Sequence, residues 1–100
     1  MNEMVQPAAE GGAARLRVTI RNQRGLHARA AAKFVKLANE FEAEIEVRRG
    51  DLTANGRSIM GLMMLSAGLG NEVEVTVSGR DAEKALVAVL DLIGRKFDED

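Results

Sequence analysis

Four short segments of this 100-residue chain alternate between apolar and polar residues, and this alternation constrains the fold more than any other feature. The segments cover residues 15–21, 43–48, 52–54 and 72–78. A period of two places all the apolar side chains of a strand on one face of a sheet. Sheets with one apolar and one polar face are mainly antiparallel and carry their helices on the apolar face. The pattern therefore predicts a four-stranded antiparallel sheet that is covered on one side only.

Three further segments have apolar residues at steps of three and four, which is typical of helices with one buried face. The first helix is predicted from about Ala28 to Asn39. The second is short, with Ser58 as its N-cap and Gly68 as its stop. The third follows Asp81, and its predicted buried residues are Ala82, Ala85, Leu86, Val89, Leu92 and Ile93.

The order strand, helix, strand, strand, helix, strand, helix predicts a single α+β domain over residues 14–100. Residues 1–13 contain Pro7 and the pair Gly11-Gly12 and are predicted to form a flexible tail. This tail lacks the basic start and apolar centre of a secretory signal. No apolar run approaches the about 20 residues that span a bilayer. We therefore expect a monomeric cytoplasmic protein with no membrane contact.

The amino-acid composition excludes several kinds of disulfide and metal-binding site. The chain has no cysteine and one histidine, so a disulfide framework, a thiolate metal site and a histidine-rich zinc centre are excluded. The formal net charge is -1, but residues 1–36 carry seven Lys and Arg against two Glu, whereas residues 37–100 carry seven against thirteen Asp and Glu. A basic surface around the histidine would attract acidic partners or phosphorylated ligands. The alternative is an ordinary solvated face.

The single histidine stands directly before the predicted first helix. Gly25 allows a sharp turn before it, and the N–H groups of Ala28, Arg29 and Ala30 have no carbonyl partner within the helix. Together with the Arg29 guanidinium, these donors form a site for an anion beside the His27 imidazole, which we expect to be exposed and neutral. A phosphoryl group carried on His27 fits this description. The alternative is a histidine that merely ends a loop.

Two motifs at a fixed separation, Gly25-Leu26-His27-Ala28-Arg29 and Asn55-Gly56-Arg57-Ser58-Ile59-Met60-Gly61-Leu62, resemble the HPr family of histidine-containing phosphocarriers. This family serves the phosphoenolpyruvate-dependent phosphotransferase system. The resemblance covers about residues 14–97. It implies an open-faced sandwich with strand order 1-4-2-3, and a group carrier rather than an enzyme, with no cofactor or metal.

The resemblance also implies roles for single residues. His27 would take a phosphoryl group on Nδ1 from Enzyme I and pass it to a IIA-type domain. Arg29 matches the active-site arginine of the family. Ser58 matches the serine that an ATP-dependent kinase or phosphorylase modifies. Ala30 stands where the family usually has proline, and alanine is also favourable in a first helical turn.

The ending Phe97-Asp98-Glu99-Asp100 is similar to the nitrogen-related branch of the family, which serves regulation rather than sugar uptake. Both branches stay open, as does the identity of the acceptor. A non-carrying regulatory module controlled through Ser58 is the main alternative function. Nucleic-acid binding is disfavoured because the chain has no Tyr or Trp, and its Phe residues fall on or near helices.

The short second helix is rich in methionine. Its apolar period predicts that Ile59, Leu62, Met63 and Leu65 largely pack inside. Some of these apolar residues must still be exposed, and flexible methionines suit a surface that docks on several partners. The predicted docking residues are Arg24, Lys33, Ile59, Met60 and Met63.

Overall fold

The computed structural model of the protein describes residues 13–99, so the tail predicted over residues 1–13 lies outside the described residues except for Ala13. The elements follow the predicted order, and the strand ends differ from the predicted ones by at most two residues. They are β1 Ala14–Thr19, α1 Ala28–Ala38, β2 Glu44–Arg49, β3 Leu52–Asn55, α2 Ile59–Met64, β4 Glu72–Ser78 and α3 Ala82–Gly94.

The four strands form one antiparallel sheet in the order β1-β4-β2-β3, which confirms the strand order implied by the resemblance. Its register places apolar residues in rows across the sheet. One row joins Leu16, Val75, Val47 and Ala54, all of which are buried. The next row joins Arg17, Glu74, Arg48 and Thr53, and it lies on the opposite face. The predicted division into one apolar and one polar face is therefore confirmed.

The helices cover the apolar face. All six residues predicted as the buried stripe of α3 are buried, and α1 contributes Ala30, Ala31, Phe34 and Ala38. Small alanines let α1 approach its neighbours α2 and α3 closely. Phe34 adds a large buried side chain, whose burial is worth about 2–3 kcal/mol. Within residues 13–99, each helix is too short or too polar to cross a membrane.

The short helix α2 begins as predicted but ends differently. Ser58 is its N-cap, and the Ser58 hydroxyl oxygen accepts a hydrogen bond from the Gly61 N–H at 2.9 Å. The prediction that Gly68 stops the helix was wrong. The helix is already closed by Leu65, and Ser66 follows in the left-handed conformation with φ 53°. The Gly68 N–H instead donates to the Asn71 side chain at 2.8 Å, within the loop before β4.

The chain reverses after α3 in a turn over Lys96–Asp98, which we call the C-terminal turn. Its three residues have φ values of 61°, 54° and 62°, so all are left-handed although none is glycine. Such a backbone costs about 1–2 kcal/mol per residue, and burial of Phe97 in the core offsets part of this. The Lys33 ammonium also donates to the Phe97 carbonyl at 2.7 Å. The turn therefore directs Glu99 back across the amino end of α1.

Candidate functional site

The loop between β1 and α1 is held from two sides. Asn22 is fully buried, and its amide nitrogen donates to the Gly25 carbonyl at 2.8 Å. On the other side, the Leu26 N–H donates to the Ala67 carbonyl at 2.9 Å. Gly25 has φ 62° and packs directly on the Ala67 backbone. This double attachment fixes the point at which the chain enters α1.

His27 is the N-cap residue of α1. Its backbone is extended, with φ -74° and ψ 179°, and its side chain makes no capping hydrogen bond. The first helical hydrogen bond runs from the Ala31 N–H to the His27 carbonyl at 2.8 Å. The N–H groups of Ala28, Arg29 and Ala30 therefore precede the helical ladder and point out of the helix start. The imidazole thus stands beside the positive end of the helix.

An open depression surrounds the imidazole. It is lined by Gln23, Arg24, His27, Arg29, Lys33, Asp98 and Glu99. The fold thus brings together four of the residues singled out in the sequence, namely His27, Arg29, Arg24 and Lys33. Ser58 and the apolar docking residues of α2 lie outside this lining. A second depression, on the open face of the sheet, is lined by Arg17, Arg48, Glu72 and Glu74 among others, and its lining contains no histidine.

The predicted exposure of the imidazole was wrong. The His27 Nε2 atom lies 2.5 Å from Glu99 Oε2, and the two side chains are only 15% and 17% exposed. The other Glu99 oxygen accepts a hydrogen bond from the Asn22 amide at 2.9 Å. The difference arises because the C-terminal turn brings Glu99 over the histidine. One edge of the ring is therefore covered by a carboxylate held in place by a buried amide.

The Glu99 carboxyl is ionised at neutral pH. Burial alone would raise its pKa, but the hydrogen bonds donated by Asn22 and His27 and the nearby Lys33 charge outweigh burial, so the pKa of Glu99 lies below its ordinary value of 4.5. An ionised carboxylate only accepts hydrogen bonds. The hydrogen between the two groups must therefore be on Nε2, which leaves the lone pair of the neutral ring on Nδ1. In the part of the chain that the structure describes, Nδ1 has no hydrogen-bond partner.

This pairing predicts a pH dependence of stability. Because the pKa of Glu99 is lowered in the folded protein, its contacts stabilise the fold above the ordinary value of 4.5 and are lost as the pH falls through the lower, folded value. We expect wild type to exceed Glu99→Ala by about 1–2 kcal/mol in the free energy of unfolding at neutral pH. Most of this difference should vanish once the pH falls below the lowered pKa that Glu99 has in the folded protein.

Urea unfolding of both proteins across this pH range is the measurement. Glu44→Ala serves as the control, because Glu44 is exposed on the polar face of the sheet and its effect on stability should not follow the same pH dependence. A Glu99→Ala cost that does not decrease as the pH falls well below 4.5 would contradict the ion pair.

Sequence reasoning missed the lining residues Gln23 and Asp98 and also the two residues that cover the imidazole, Asn22 and Glu99. Asn22 was assigned only to a loop, although a single asparagine after an apolar strand residue is a common turn signal. Glu99 was noted only as part of a similar ending. Its partner His27 is 72 positions away, so no local pattern connects them. The one available signal was the apolar Phe97 in an otherwise charged ending, which suggests an anchored segment.

The apolar surface of α2 is larger than predicted. Leu62 and Leu65 are buried as expected, but Ile59 and Met63 are exposed, which corrects their predicted packing. Met60 is 70% exposed, and Met64, which was not among the predicted docking residues, is equally exposed. An exposed apolar cluster of this kind is typical of a protein-binding surface. We call Ile59, Met60, Met63 and Met64 the methionine surface.

Comparison with known proteins adds the family. A family model described as the phosphorylation site of the PTS HPr component matches residues 14–95. The chain is 48% identical over 82 residues to the phosphocarrier protein NPr of Shewanella violacea, a match that covers 82% of this chain and 90% of that protein. It is 45% identical over 82 residues to the phosphocarrier protein HPr of Neisseria meningitidis, covering 82% and 92%.

A solved structure, HPr-C-His from Thermoanaerobacter tengcongensis, matches the fold with a TM-score of 0.82 at 42% sequence identity. The match covers 86% of this chain and 97% of that one. The four-stranded open sheet with three helices is therefore shared with proteins of known structure.

Proposed function

The chain belongs to the HPr family of phosphotransferase-system phosphocarriers, and from this premise we propose that His27 is the residue that carries the phosphoryl group. The observation that carries the proposal is the position of this residue. His27 is the only histidine of the sequence, and it stands at the amino end of α1 in a depression lined by Arg24, Arg29 and Lys33. The protein acts as a carrier, so it needs a nucleophile and an anion site but no complete catalytic machinery.

The proposed step forms one bond and breaks one. The Nδ1 lone pair of His27 forms a bond to phosphorus while the bond from phosphorus to the donor atom of Enzyme I breaks, and that electron pair stays with the donor. Phosphoryl transfer needs mainly alignment and charge stabilisation. The N–H groups of Ala28, Arg29 and Ala30 supply donors for the phosphoryl oxygens. The Arg29 guanidinium adds a planar pair of donors.

The same geometry supports onward transfer to a IIA-type domain. The carried group remains at an open depression, where a second protein can approach its outer side. The methionine surface lies on the helix next to α1, and Arg24 provides a positive charge at the site. Flexible methionines adapt to partners of different shape. We propose that Enzyme I and the acceptor dock here in turn on a monomeric, cytoplasmic carrier.

Relatives named NPr and HPr match at similar identity, so the proposal is the step that both branches share. The test is incubation of the purified protein with phosphoenolpyruvate and Enzyme I, read by intact mass before and after mild acid. We expect one added phosphoryl group that acid removes, because phosphorus–nitrogen bonds to histidine are acid-labile. An unchanged mass in the presence of active Enzyme I would contradict the proposal. That outcome would favour a binding module that does not carry phosphate.

Ser58 is proposed as a regulatory site on the methionine surface. Ser58→Asp should weaken docking of Enzyme I about tenfold, which corresponds to about 1.4 kcal/mol, with little loss of stability. The fold should tolerate the change because aspartate is as good an N-cap as serine and suits the helix dipole. Docking should be weakened, because the new charge adjoins apolar side chains that must lose their water when the partner binds. The measurement is the apparent KM for the carrier in Enzyme I phosphorylation, at low and high salt.

Ser58→Asn is the matched control for this prediction. Asparagine caps helices as well as aspartate but carries no charge, so it should leave both stability and KM close to wild type. Equal KM values for the aspartate and asparagine variants would show that charge at this position does not regulate docking. A raised KM in both would assign the effect to shape instead.

A further inference from the structure

The pairing of Glu99 with His27 controls which ring nitrogen is free. Glu99 Oε2 contacts Nε2, and Glu99 Oε1 is held by the Asn22 amide. Because the carboxylate only accepts, the hydrogen between the two groups is on Nε2, and in the neutral form of the ring the lone pair is then on Nδ1. The ring is thereby fixed in one tautomer before any phosphoryl donor arrives.

We propose that Glu99 is a positioning residue for phosphoryl transfer, which holds the Nε2 hydrogen and so presents the Nδ1 lone pair of His27 to phosphorus. This inference rests on the proposed function of His27 and adds a role for Glu99. It is supported by geometry alone, namely the two hydrogen bonds to Glu99 and the burial of Asn22.

Asn22 determines the direction of its hydrogen bond with Glu99: Asn22 donates and Glu99 accepts. Its amide nitrogen donates both to the Gly25 carbonyl at 2.8 Å and to Glu99 Oε1 at 2.9 Å. Two acceptors on one atom fix the orientation of the amide, since its oxygen could not replace the nitrogen there. Within residues 13–99, the Asn22 side-chain oxygen has no partner, which is a cost that the fold accepts. Asn22 therefore offers Glu99 a donor and never an acceptor.

The carboxylate also acts during the transfer. When Nδ1 forms its bond to phosphorus, Nε2 keeps its hydrogen and the ring becomes positively charged. Glu99 contacts Nε2, whereas the phosphoryl group is bound to Nδ1. The carboxylate therefore stabilises the positive charge of the ring without lying directly against the phosphoryl oxygens. When the group leaves for an acceptor, the electron pair of the phosphorus–nitrogen bond returns to Nδ1 and the ring is neutral again. No proton needs to enter or leave the site in either direction.

The amide variant Glu99→Gln provides the sharpest test. Asn22 can only donate, so it selects the oxygen of the new amide and leaves the amide NH2 group facing His27 Nε2. An NH2 group donates, so it requires the lone pair on Nε2 and moves the hydrogen to Nδ1. The substitution keeps the shape of the side chain but is expected to invert the tautomer, as the corresponding change does in Ser-His-Asp triads.

The first readout is the pair of ¹⁵N chemical shifts of the neutral His27 ring in the unphosphorylated protein. Wild type should show the hydrogen on Nε2, and Glu99→Gln should show it mainly on Nδ1. This readout does not involve Enzyme I, so it stands or fails independently of the proposed function. A wild-type ring with the hydrogen on Nδ1, or an unchanged tautomer in Glu99→Gln, would overturn the inference.

The second readout is the rate of phosphorylation at saturating Enzyme I. We expect Glu99→Gln to be roughly 10–100-fold slower than wild type, the loss that is typical when the hydrogen-bond partner of a metal-ligating histidine is replaced. Glu99→Ala should fall between the two, because it removes the partner but does not impose the wrong tautomer. Glu44→Gln, an exposed carboxylate-to-amide change, should match wild type.

The order of the three rates separates positioning from two other roles. If Glu99 served only to hold the C-terminal turn, Glu99→Ala would be the slowest variant, because it loses the most contacts. If Glu99 only covered His27, Glu99→Ala would be faster than wild type, and Glu99→Gln, which keeps the shape of the side chain, would match wild type. Either order would overturn the inference, and the order wild type, alanine, glutamine supports it.

Discussion

His27→Ala is expected to abolish uptake of the acid-labile phosphoryl group while the protein remains folded. The sequence contains no second histidine that could take over. The fold should persist because the His27 side chain makes no capping hydrogen bond and fills no core position. It does lose its contact with Glu99, so a cost of about 1–2 kcal/mol in the free energy of unfolding is expected.

Intact mass after incubation with phosphoenolpyruvate and Enzyme I measures this loss, and urea unfolding measures the stability. His27→Gln is a matched variant, because its amide can still donate to Glu99 but is not a nucleophile. It should be as inactive as the alanine variant and closer to wild type in stability. Phosphate uptake by either variant would place the carried group on another residue.

Gly25→Ala should have the largest effect on stability of any change in the site. A Cβ atom at this position would lie 2.3 Å from the Ala67 carbonyl oxygen and 2.7 Å from Gly68 Cα, at a residue with φ 62°. Backbone atoms cannot rotate away, so either the loop between β1 and α1 or the segment around Ala67 that precedes β4 must move. The left-handed conformation costs about 1–2 kcal/mol and the overlap about 1–3 kcal/mol more. We expect a total loss of about 2–5 kcal/mol.

Gly50→Ala separates these two contributions. Gly50 has φ 59°, close to that of Gly25, but among residues 13–99 no atom outside its two chain neighbours lies within 4 Å of an added Cβ. It should therefore cost only the conformational part, about 1–2 kcal/mol. Urea unfolding of both variants is the measurement. Equal losses would show that the attachment of the loop to Ala67 does not matter for stability.

The sheet and the third helix were predictable because the relevant signals are local. The alternation around Leu16 and Val75 determines which side chains face the core, whichever strand lies beside them. The apolar stripe from Ala82 to Ile93 repeats with the period of an α-helix. The position of His27 before α1 was predictable for the same reason. Its flanking glycine and the following alanine-rich run are both within a few residues.

The partner of His27 was not predictable in this way. Contact with Glu99 depends on three successive left-handed residues in the C-terminal turn, a conformation that is uncommon for residues other than glycine, above all for a bulky residue such as Phe97. Tertiary contacts, the burial of Phe97 and the hydrogen bond from Lys33, decide the path of the chain there. The end of α2 was misassigned for a related reason. Ser66 takes the left-handed position for which the sequence offered glycine.

The C-terminal turn has a practical consequence for anyone who expresses this protein. An affinity tag or fluorescent fusion joined to the chain shortly after this turn would begin close to the contact between Glu99 and His27. Such an addition is expected to disturb the contact between the glutamate and the histidine, and with it any rate that depends on the His27 ring.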